Sequence, residues 1–111
     1  MEKLLRHVDV ISNLCFELSI SKTQAKKILN TKKECVKWND LNIDETKYII
    51  RLYDLKNSSI LLMGGNKEVA MQWLREPQPF LNNLTPTEAS YNEVNHQKIM
   101  SLISKQSTIT N

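Results

Sequence analysis

The sequence predicts an all-α fold, a compact bundle of about six to seven helices. Apolar residues recur three or four positions apart along most of the chain, which is the period of an amphipathic helix. Helix-capping residues precede several of these stretches. The 111 residues include only two glycines and three prolines, too few for the many tight turns of an all-β fold. With 41% apolar residues, the chain can bury a core of its own.

The first helix is predicted from one apolar stripe near the N-terminus. Its members fall three or four residues apart and are Leu4, Leu5, Val8, Ile11, Cys15 and Leu18. Cys15 and Cys35 both fall at apolar positions of predicted helices. We expect them to be small core residues rather than a disulfide pair, because a reducing compartment disfavours the disulfide.

Two further helices joined by a tight turn are predicted next. Ser21 is a suitable N-cap for a short second helix, and Thr31 can cap a third helix that runs through Trp38. Asn30 supplies the turn, since asparagine tolerates the left-handed conformation where glycine is usual. This pattern resembles a degenerate helix-turn-helix, whose buried positions would be Ala25, Ile28, Cys35 and Trp38.

A long helix is predicted from about Ile43 to Met63. Asn42 and Glu45 form a capping box before it, and a pair of glycines ends it. Asn66 then begins a shorter helix that carries Trp73. The long helix is therefore expected to lead directly into the most distinctive stretch of the chain.

That stretch reads as a short helix, a corner fixed by prolines between residues 77 and 84, and a second helix. Thr85 can cap the second helix, with Glu88 bonding back to the Thr85 amide. The residues that define the motif are Ala70, Trp73, Leu74, Pro79, Leu81, Thr85 and Pro86. Trp73 is interpreted as core. Phe80 is expected to be either the exposed anchor of the corner or a further core residue. A last helix is expected from about Glu93 to Ser104, followed by a loose polar tail.

Positive charge is concentrated in one segment. The net charge is only +3, but between Ser21 and Asn39 a single acid, Glu34, accompanies Lys22, Lys26, Lys27, Lys32, Lys33 and Lys37. Within a helix-turn-helix, the candidate DNA contacts are Lys22, Lys26, Thr31, Lys32, Lys33 and Lys37. The alternative is a degenerate motif kept only as scaffold, with the lysines as solvated surface.

The Trp-Leu-x-x-Pro turn leading into Thr-Pro resembles the toxin-binding domain of the Xre/MbcA/ParS class of bacterial antitoxins. The resemblance places a helix-turn-helix-like part at residues 1–40 and a toxin-binding part at residues 41–111. It implies a partner toxin with a RES domain that consumes NAD⁺, neutralised by occlusion of its active site, and autorepression at operator DNA. The candidate toxin contacts are Pro77, Phe80, Asn83, His96, Met100, Ser104 and Lys105.

Two departures from the family pattern fall in the region that would face the toxin. Residues 89–93 contain no glycine before the last helix, and the chain ends Ser-Thr-Ile-Thr-Asn rather than in a Glu-Gly-like tail. The resemblance also implies a homodimer on paired half-sites. The rival interpretation is a small DNA-binding regulator without a toxin partner, and a third is an interaction module for some other protein.

Catalysis, cofactor binding and membrane insertion have little support in the sequence. The two histidines and two cysteines show neither C-x-x-C nor H-x-x-x-H spacing, so no metal site is predicted. No apolar run approaches the roughly 18 residues of a membrane span, and the N-terminus lacks the order of a signal peptide. We therefore expect a cytoplasmic protein that is not an enzyme and requires no cofactor.

Overall fold

Helices account for nearly all the regular structure of this chain. A computed structural model describes residues 9–109, and side chains for residues 9–105. Within that range the fold is all-α, as predicted, with helices α1 (Val10–Leu18), α2 (Lys22–Ile28), α3 (Ile43–Leu62), α4 (Lys67–Leu74), α5 (Pro86–Ala89) and α6 (Glu93–Ile109). Short 3-10 helices lie at Trp38–Asp40 and Pro79–Leu81. None of the helices in residues 9–109 is both long enough and apolar enough to cross a membrane.

Side-chain caps fix where most of these helices begin. Three helices start with a reciprocal capping box, in which two side chains each bond the other's backbone amide: Ser21 with Gln24, Asn42 with Glu45, and Thr85 with Glu88. Asn66 caps α4 by accepting from the Val69 amide at 3.1 Å. These caps satisfy amides that lack a partner inside the helix, and those at Ser21, Asn42, Asn66 and Thr85 confirm the predicted helix starts.

The helix that carries the described part of the first apolar stripe starts at Val10. Asp9 has an extended backbone and caps α1 by accepting from the Ile11 amide, so the helix starts at Val10. The predicted members Leu4, Leu5 and Val8 lie outside the described residues. The rest of the stripe forms the buried face of α1, with Val10, Ile11, Leu14 and Leu18 inside and Cys15 half-buried.

The prediction of a third helix from Thr31 to Trp38 is wrong. Asn30 does adopt the left-handed conformation, with φ of 49°, but residues 31–37 form no helix. Val36 is bonded at both backbone groups to the start of α1: its amide donates to Asp9 Oδ1 at 2.9 Å, and its carbonyl accepts from the Val10 amide at 2.6 Å. In a helix, this amide and this carbonyl would instead bond to backbone groups of the same helix.

The non-helical path of residues 31–37 also changes which residues are buried. Val36 is buried, while the neighbouring Cys35 is exposed, contrary to the predicted core position. Both cysteines are free thiols, as expected. Because residues 31–37 are not helical, the chain has no recognition helix at the place where a helix-turn-helix requires one.

The chain divides into two compact units, Met1–Ile49 (unit 1) and Ile50–Asn111 (unit 2). This division falls within α3 rather than at residue 41, where the sequence resemblance places it. In unit 2 one apolar cluster forms the core, and its buried members are Leu55, Ala70, Met71, Leu74, Leu81, Ala89, Ile99 and Ile103. In unit 1 the buried apolar residues include the inner face of α1 together with Ala25, Leu29 and Val36.

Asp9 makes the stability of unit 1 dependent on pH. Partial burial alone would raise the pKa of this carboxyl, but hydrogen bonds from the amides of Val36, Ile11 and Ser12 and from the Ser12 hydroxyl lower it below its usual 3.8. A lowered folded-state pKa means that the stabilisation is present above pH 3.8 and is lost as the pH falls through the folded value. We expect Asp9→Asn, which keeps a cap but removes the charge, to unfold at lower urea concentration than wild type at pH 6.

The same pair of proteins supplies the control for this prediction. At pH 2.5 the Asp9 carboxyl of the wild type gains protons, so the two urea midpoints should converge. A gap of equal size at pH 6 and pH 2.5 would mean that the carboxylate charge does not hold the Val36 segment.

Candidate functional site

Helix α4 presents a buried face that anchors the corner of unit 2. Asn66 starts the helix, and the spacing of Ala70, Met71 and Leu74 places all three in the core. The Thr87 hydroxyl donates to the Leu74 carbonyl at 3.0 Å, which satisfies one of the open carbonyls at the end of α4. The end of α4 and the start of α5 are therefore joined directly.

The corner itself, residues 77–84, is closed by its own backbone. The amide of Gln78 donates to the Leu84 carbonyl, and the amide of Asn83 donates to the Gln78 carbonyl, both at 3.0 Å. Asn82 and Asn83 adopt left-handed conformations, with φ of 57° and 66°. Asparagine accepts this conformation more readily than most residues, so the Asn-Asn pair lets the chain reverse here.

One bond attaches this corner to the last helix. Lys98, on α6, donates from Nζ to the Phe80 carbonyl at 3.1 Å. Leu81 points into the core of unit 2 and is almost fully buried. The burial of Leu81 and the bond at the Phe80 carbonyl therefore attach this 3-10 helix both to the core of unit 2 and to α6.

A cleft of about 290 Å³ opens beside this corner. We call it the Trp73–Phe80 cleft, and its lining consists of Leu62, Met63, Trp73, Gln78, Phe80, Leu102 and Ile103. Gln78 is its one amide side chain, and the remaining lining residues are apolar. The end of α3, helix α4, the corner and helix α6 all contribute to it, so the cleft brings together residues forty positions apart in the chain.

The motif residues predicted as structural are mostly in the places expected. Ala70, Leu74, Leu81 and Pro86 are buried, and Thr85 caps α5. Pro79 is exposed at the start of its 3-10 helix. Trp73 is only half-buried: it packs against the core and also lines the cleft. Phe80 is also half-buried, and it too packs against the core and lines the cleft. The two aromatic side chains therefore occupy equivalent positions, and neither is wholly core or wholly exposed.

The other predicted contact residues lie on the surface of unit 2, with one exception. Pro77 is exposed at the start of the corner, and Asn83 is exposed at its tip. Met100 is half-buried on α6, and Ser104 and Lys105 are exposed near its end. Helix α6 continues to Ile109, so the polar tail expected from Lys105 is helical over its first five residues.

His96 is the exception, and its prediction as a contact residue is wrong. Its side chain is only 8% exposed, and Nδ1 lies 3.1 Å from the hydroxyl of the fully buried Ser90. Burial first, and then the nearby positive charge of Arg51, lowers the pKa of His96 below its usual 6.5. His96 is therefore a neutral internal group that holds the junction of α5 and α6.

Arg51 completes this junction, and sequence reasoning missed it. Its Nε donates to the Ser90 carbonyl at 2.8 Å, and its Nη2 donates to the Tyr91 carbonyl at 2.9 Å. A planar guanidinium can satisfy two adjacent acceptors in this way, and lysine cannot. The junction accordingly positions the first turn of α6, the helix whose far end lines the cleft.

The lysines of unit 1 divide into two groups. Lys22 and Lys26 form ion pairs with Glu34 at 2.5 Å and 2.7 Å. Hydrogen bonds and charge from these two lysines lower the pKa of Glu34 to about 2, so Glu34 remains ionised at neutral pH. The other candidate DNA contacts lie on the non-helical residues 31–37, where Lys32, Lys33 and Lys37 are exposed and Thr31 is half-buried.

Within the described residues, no three or more His, Cys, Asp or Glu side chains are grouped to hold a metal ion. Sequence reasoning also missed Leu62, Met63, Gln78 and Leu102 as parts of the cleft.

Comparison with family models, curated proteins and solved structures finds no match to this chain.

Proposed function

We propose that the protein is the antitoxin of a type II toxin–antitoxin system, and that unit 2 neutralises a RES-domain toxin by binding it directly. The observation that carries the proposal is the Trp73–Phe80 cleft, built on the corner that resembles the Xre/MbcA/ParS pattern. The toxin would be held by the corner and by the exposed end of α6. Neutralisation would be steric, with this part of the antitoxin at the mouth of the toxin's NAD⁺ site.

The size and lining of the cleft favour a protein partner over a small molecule. At about 290 Å³ it is at the lower edge of ligand pockets, which hold roughly 300–1,000 Å³. Its lining offers one amide and no ionisable group, so little would orient a polar metabolite. Two half-buried aromatic rings beside an apolar floor suit the insertion of one or two side chains, as at the centre of a protein interface.

The surroundings of the cleft supply the polar rim that such an interface needs. Asn83 is exposed at the tip of the corner, and Ser104 and Lys105 are exposed near the end of α6. An apolar centre with a polar, solvent-accessible rim is the usual anatomy of a protein–protein interface.

The homodimer implied by the family resemblance stays a prediction.

The rival regulator function depends on a helix that the chain does not form. Sequence-specific reading of an operator requires side chains presented in the major groove, and residues 31–37 form no helix that could present them. Autorepression by the toxin–antitoxin complex remains part of the proposal, and its contacts with operator DNA would come from side chains that do not lie on a recognition helix.

Co-expression with the neighbouring reading frame tests the proposal, with host growth and co-purification as the two measurements. We expect a neighbour that is toxic alone, harmless with the wild-type protein, and retained on it. Phe80→Ala should weaken retention roughly 30-fold, the equivalent of about 2 kcal/mol for a central aromatic contact. A neighbour that is harmless alone and not retained would overturn the proposal.

Phe16→Ala is the matched control, because Phe16 is the only other phenylalanine of the chain and its side chain is 74% exposed in unit 1. It should leave growth rescue and retention unchanged. Since Phe80 also packs against the core, Lys105→Glu gives a second variant at an exposed position. Retention that survives both Phe80→Ala and Lys105→Glu would exclude this face of unit 2 as the toxin-binding surface.

A further inference from the structure

A basic hollow lies on unit 1, separate from the Trp73–Phe80 cleft. It measures about 400 Å³ and is lined by Thr23, Lys26, Lys27, Asn30, Thr31 and Lys32. Three of these side chains carry a positive charge, the other three can donate hydrogen bonds, and none is acidic. We propose that this hollow binds phosphate groups of a nucleic-acid backbone without reading the base sequence. The proposal concerns unit 1 and does not depend on toxin binding by unit 2.

Local folding produces the hollow. Thr23, Lys26, Lys27 and Asn30 are spaced three, four and seven residues apart, so they share one face of α2 and its C-terminal turn. The left-handed Asn30 then reverses the chain, and the Thr31 amide donates back to the Lys26 carbonyl at 3.0 Å. This reversal places Thr31 and Lys32 beside the helix face rather than beyond it.

The charge distribution leaves the hollow positive. Glu34, the one acid between Ser21 and Asn39, pairs with Lys22 and Lys26. Neither Lys27 nor Lys32 forms an ion pair within the described part of the chain. The Thr31 hydroxyl accepts from the Lys33 amide at 3.1 Å, which leaves its own hydrogen for an outside acceptor. An anion in the hollow would therefore meet two ammonium groups that have no anionic partner there.

The extent of the positive surface favours a polyanion over one phosphate ion. Lys33 and Lys37 continue it along the exposed segment after the hollow, and successive backbone phosphates could engage them in turn. Lys22 to Lys37 includes no arginine, and its only glutamine, Gln24, is bonded to the Ser21 amide in the α2 cap. Arginine and glutamine are two of the four side chains that read guanine or adenine through paired hydrogen bonds, the others being lysine and asparagine. Contacts from lysine and threonine to phosphates are independent of sequence.

Fluorescence anisotropy of the full chain with two unrelated 20-base-pair DNA duplexes tests this proposal. We expect equal affinity for both duplexes, and a slope of log K against log salt of about −2 to −5, as two to five neutralised phosphates would give. Lys27→Glu with Lys32→Glu should make that slope shallower by about 2. The single variants Lys27→Glu and Lys47→Glu supply the matched control, since Lys47 lies at an exposed position on α3 outside the hollow. Lys27→Glu should make the slope shallower, and Lys47→Glu should leave it as in wild type.

Three outcomes would overturn the proposal. Absence of binding to either duplex at 50 mM salt would exclude a nucleic-acid site on this chain. A clear preference for one duplex would mean that bases are read. Equal losses from Lys27→Glu and Lys47→Glu would assign any binding to net charge alone. Inorganic phosphate is the remaining probe: if millimolar phosphate binds while the duplexes do not, the site holds a free ion. Failure of toxin rescue changes none of these results.

Discussion

Leu74→Ala is expected to lower the free energy of unfolding by about 3 kcal/mol, because it removes a buried side chain that several elements share. Leu74 is 2% exposed in the core cluster of unit 2, and its carbonyl accepts the Thr87 hydroxyl. The loss is a large part of the roughly 5–15 kcal/mol that stabilises a domain. Urea unfolding followed by circular dichroism measures it.

The same substitution should also impair the cleft. Trp73 is adjacent to Leu74 and packs against the same cluster, so a void at Leu74 removes contacts that hold the indole ring in place. Under the antitoxin proposal, toxin retention should fall further than the remaining folded fraction accounts for. Tryptophan fluorescence at low denaturant, measured with Trp38→Phe present in both proteins so that Trp73 is the one indole, separates the two effects because it reports the ring environment before global unfolding.

Leu61→Ala supplies the control for Leu74→Ala. Leu61 lies on α3 with its side chain 78% exposed, so the same truncation there should change the unfolding free energy by no more than about 0.5 kcal/mol. Equal destabilisation by the two variants would contradict the assignment of Leu74 to the core of unit 2.

The helix starts and the corner could be predicted because the interactions that decide them are local. Each capping box joins residues three apart, so Thr85 and Glu88 reveal the start of α5 within one turn of sequence. The turn residues Asn30 and Asn82 likewise adopt left-handed conformations that follow from the residue type itself.

The third helix was predicted wrongly because its competitor is distant in sequence. Thr31 can cap a helix locally, but the Val36 amide is bonded by Asp9, 27 residues away. Nothing within one turn of Val36 announces that partner. Burial of Val36 instead of Cys35 accompanies the same bond, which holds the Val36 backbone against the start of α1.

The case of His96 is different, because a usable signal was present. His96, Ile99 and Ile103 are spaced as one face of α6, and all three are buried. Val94, two residues before His96 on the same helix, is exposed instead. A histidine on an apolar stripe needs an internal partner, and the partners here, Ser90 and the charge of Arg51, belong to elements that the stripe does not identify.

Arg51→Met is expected to lower the unfolding free energy by about 2 kcal/mol and to raise the pKa of His96. The substitution leaves the carbonyls of Ser90 and Tyr91 without their charged donor, and it removes the positive charge that, after burial, lowers the pKa of His96. Because the pKa of His96 in the folded state lies below the usual 6.5, the wild-type protein loses stability as the pH falls from 6.5 through that folded-state value. The Arg51→Met variant should lose less stability over the same pH range.

Arg51→Lys separates these two contributions. Lysine keeps the positive charge but cannot serve both carbonyls with a planar fork, so we expect its His96 pKa to stay closer to wild type while the stability falls. Arg75→Met, the same substitution at an exposed position after α4, should leave the pKa of His96 unchanged. Titration of the two histidines by NMR, with His7→Gln used to assign the His96 signal, measures the pKa. A His96 pKa that is unchanged in Arg51→Met would show that burial alone sets it, and Arg51 would then act at this junction only as a hydrogen-bond donor.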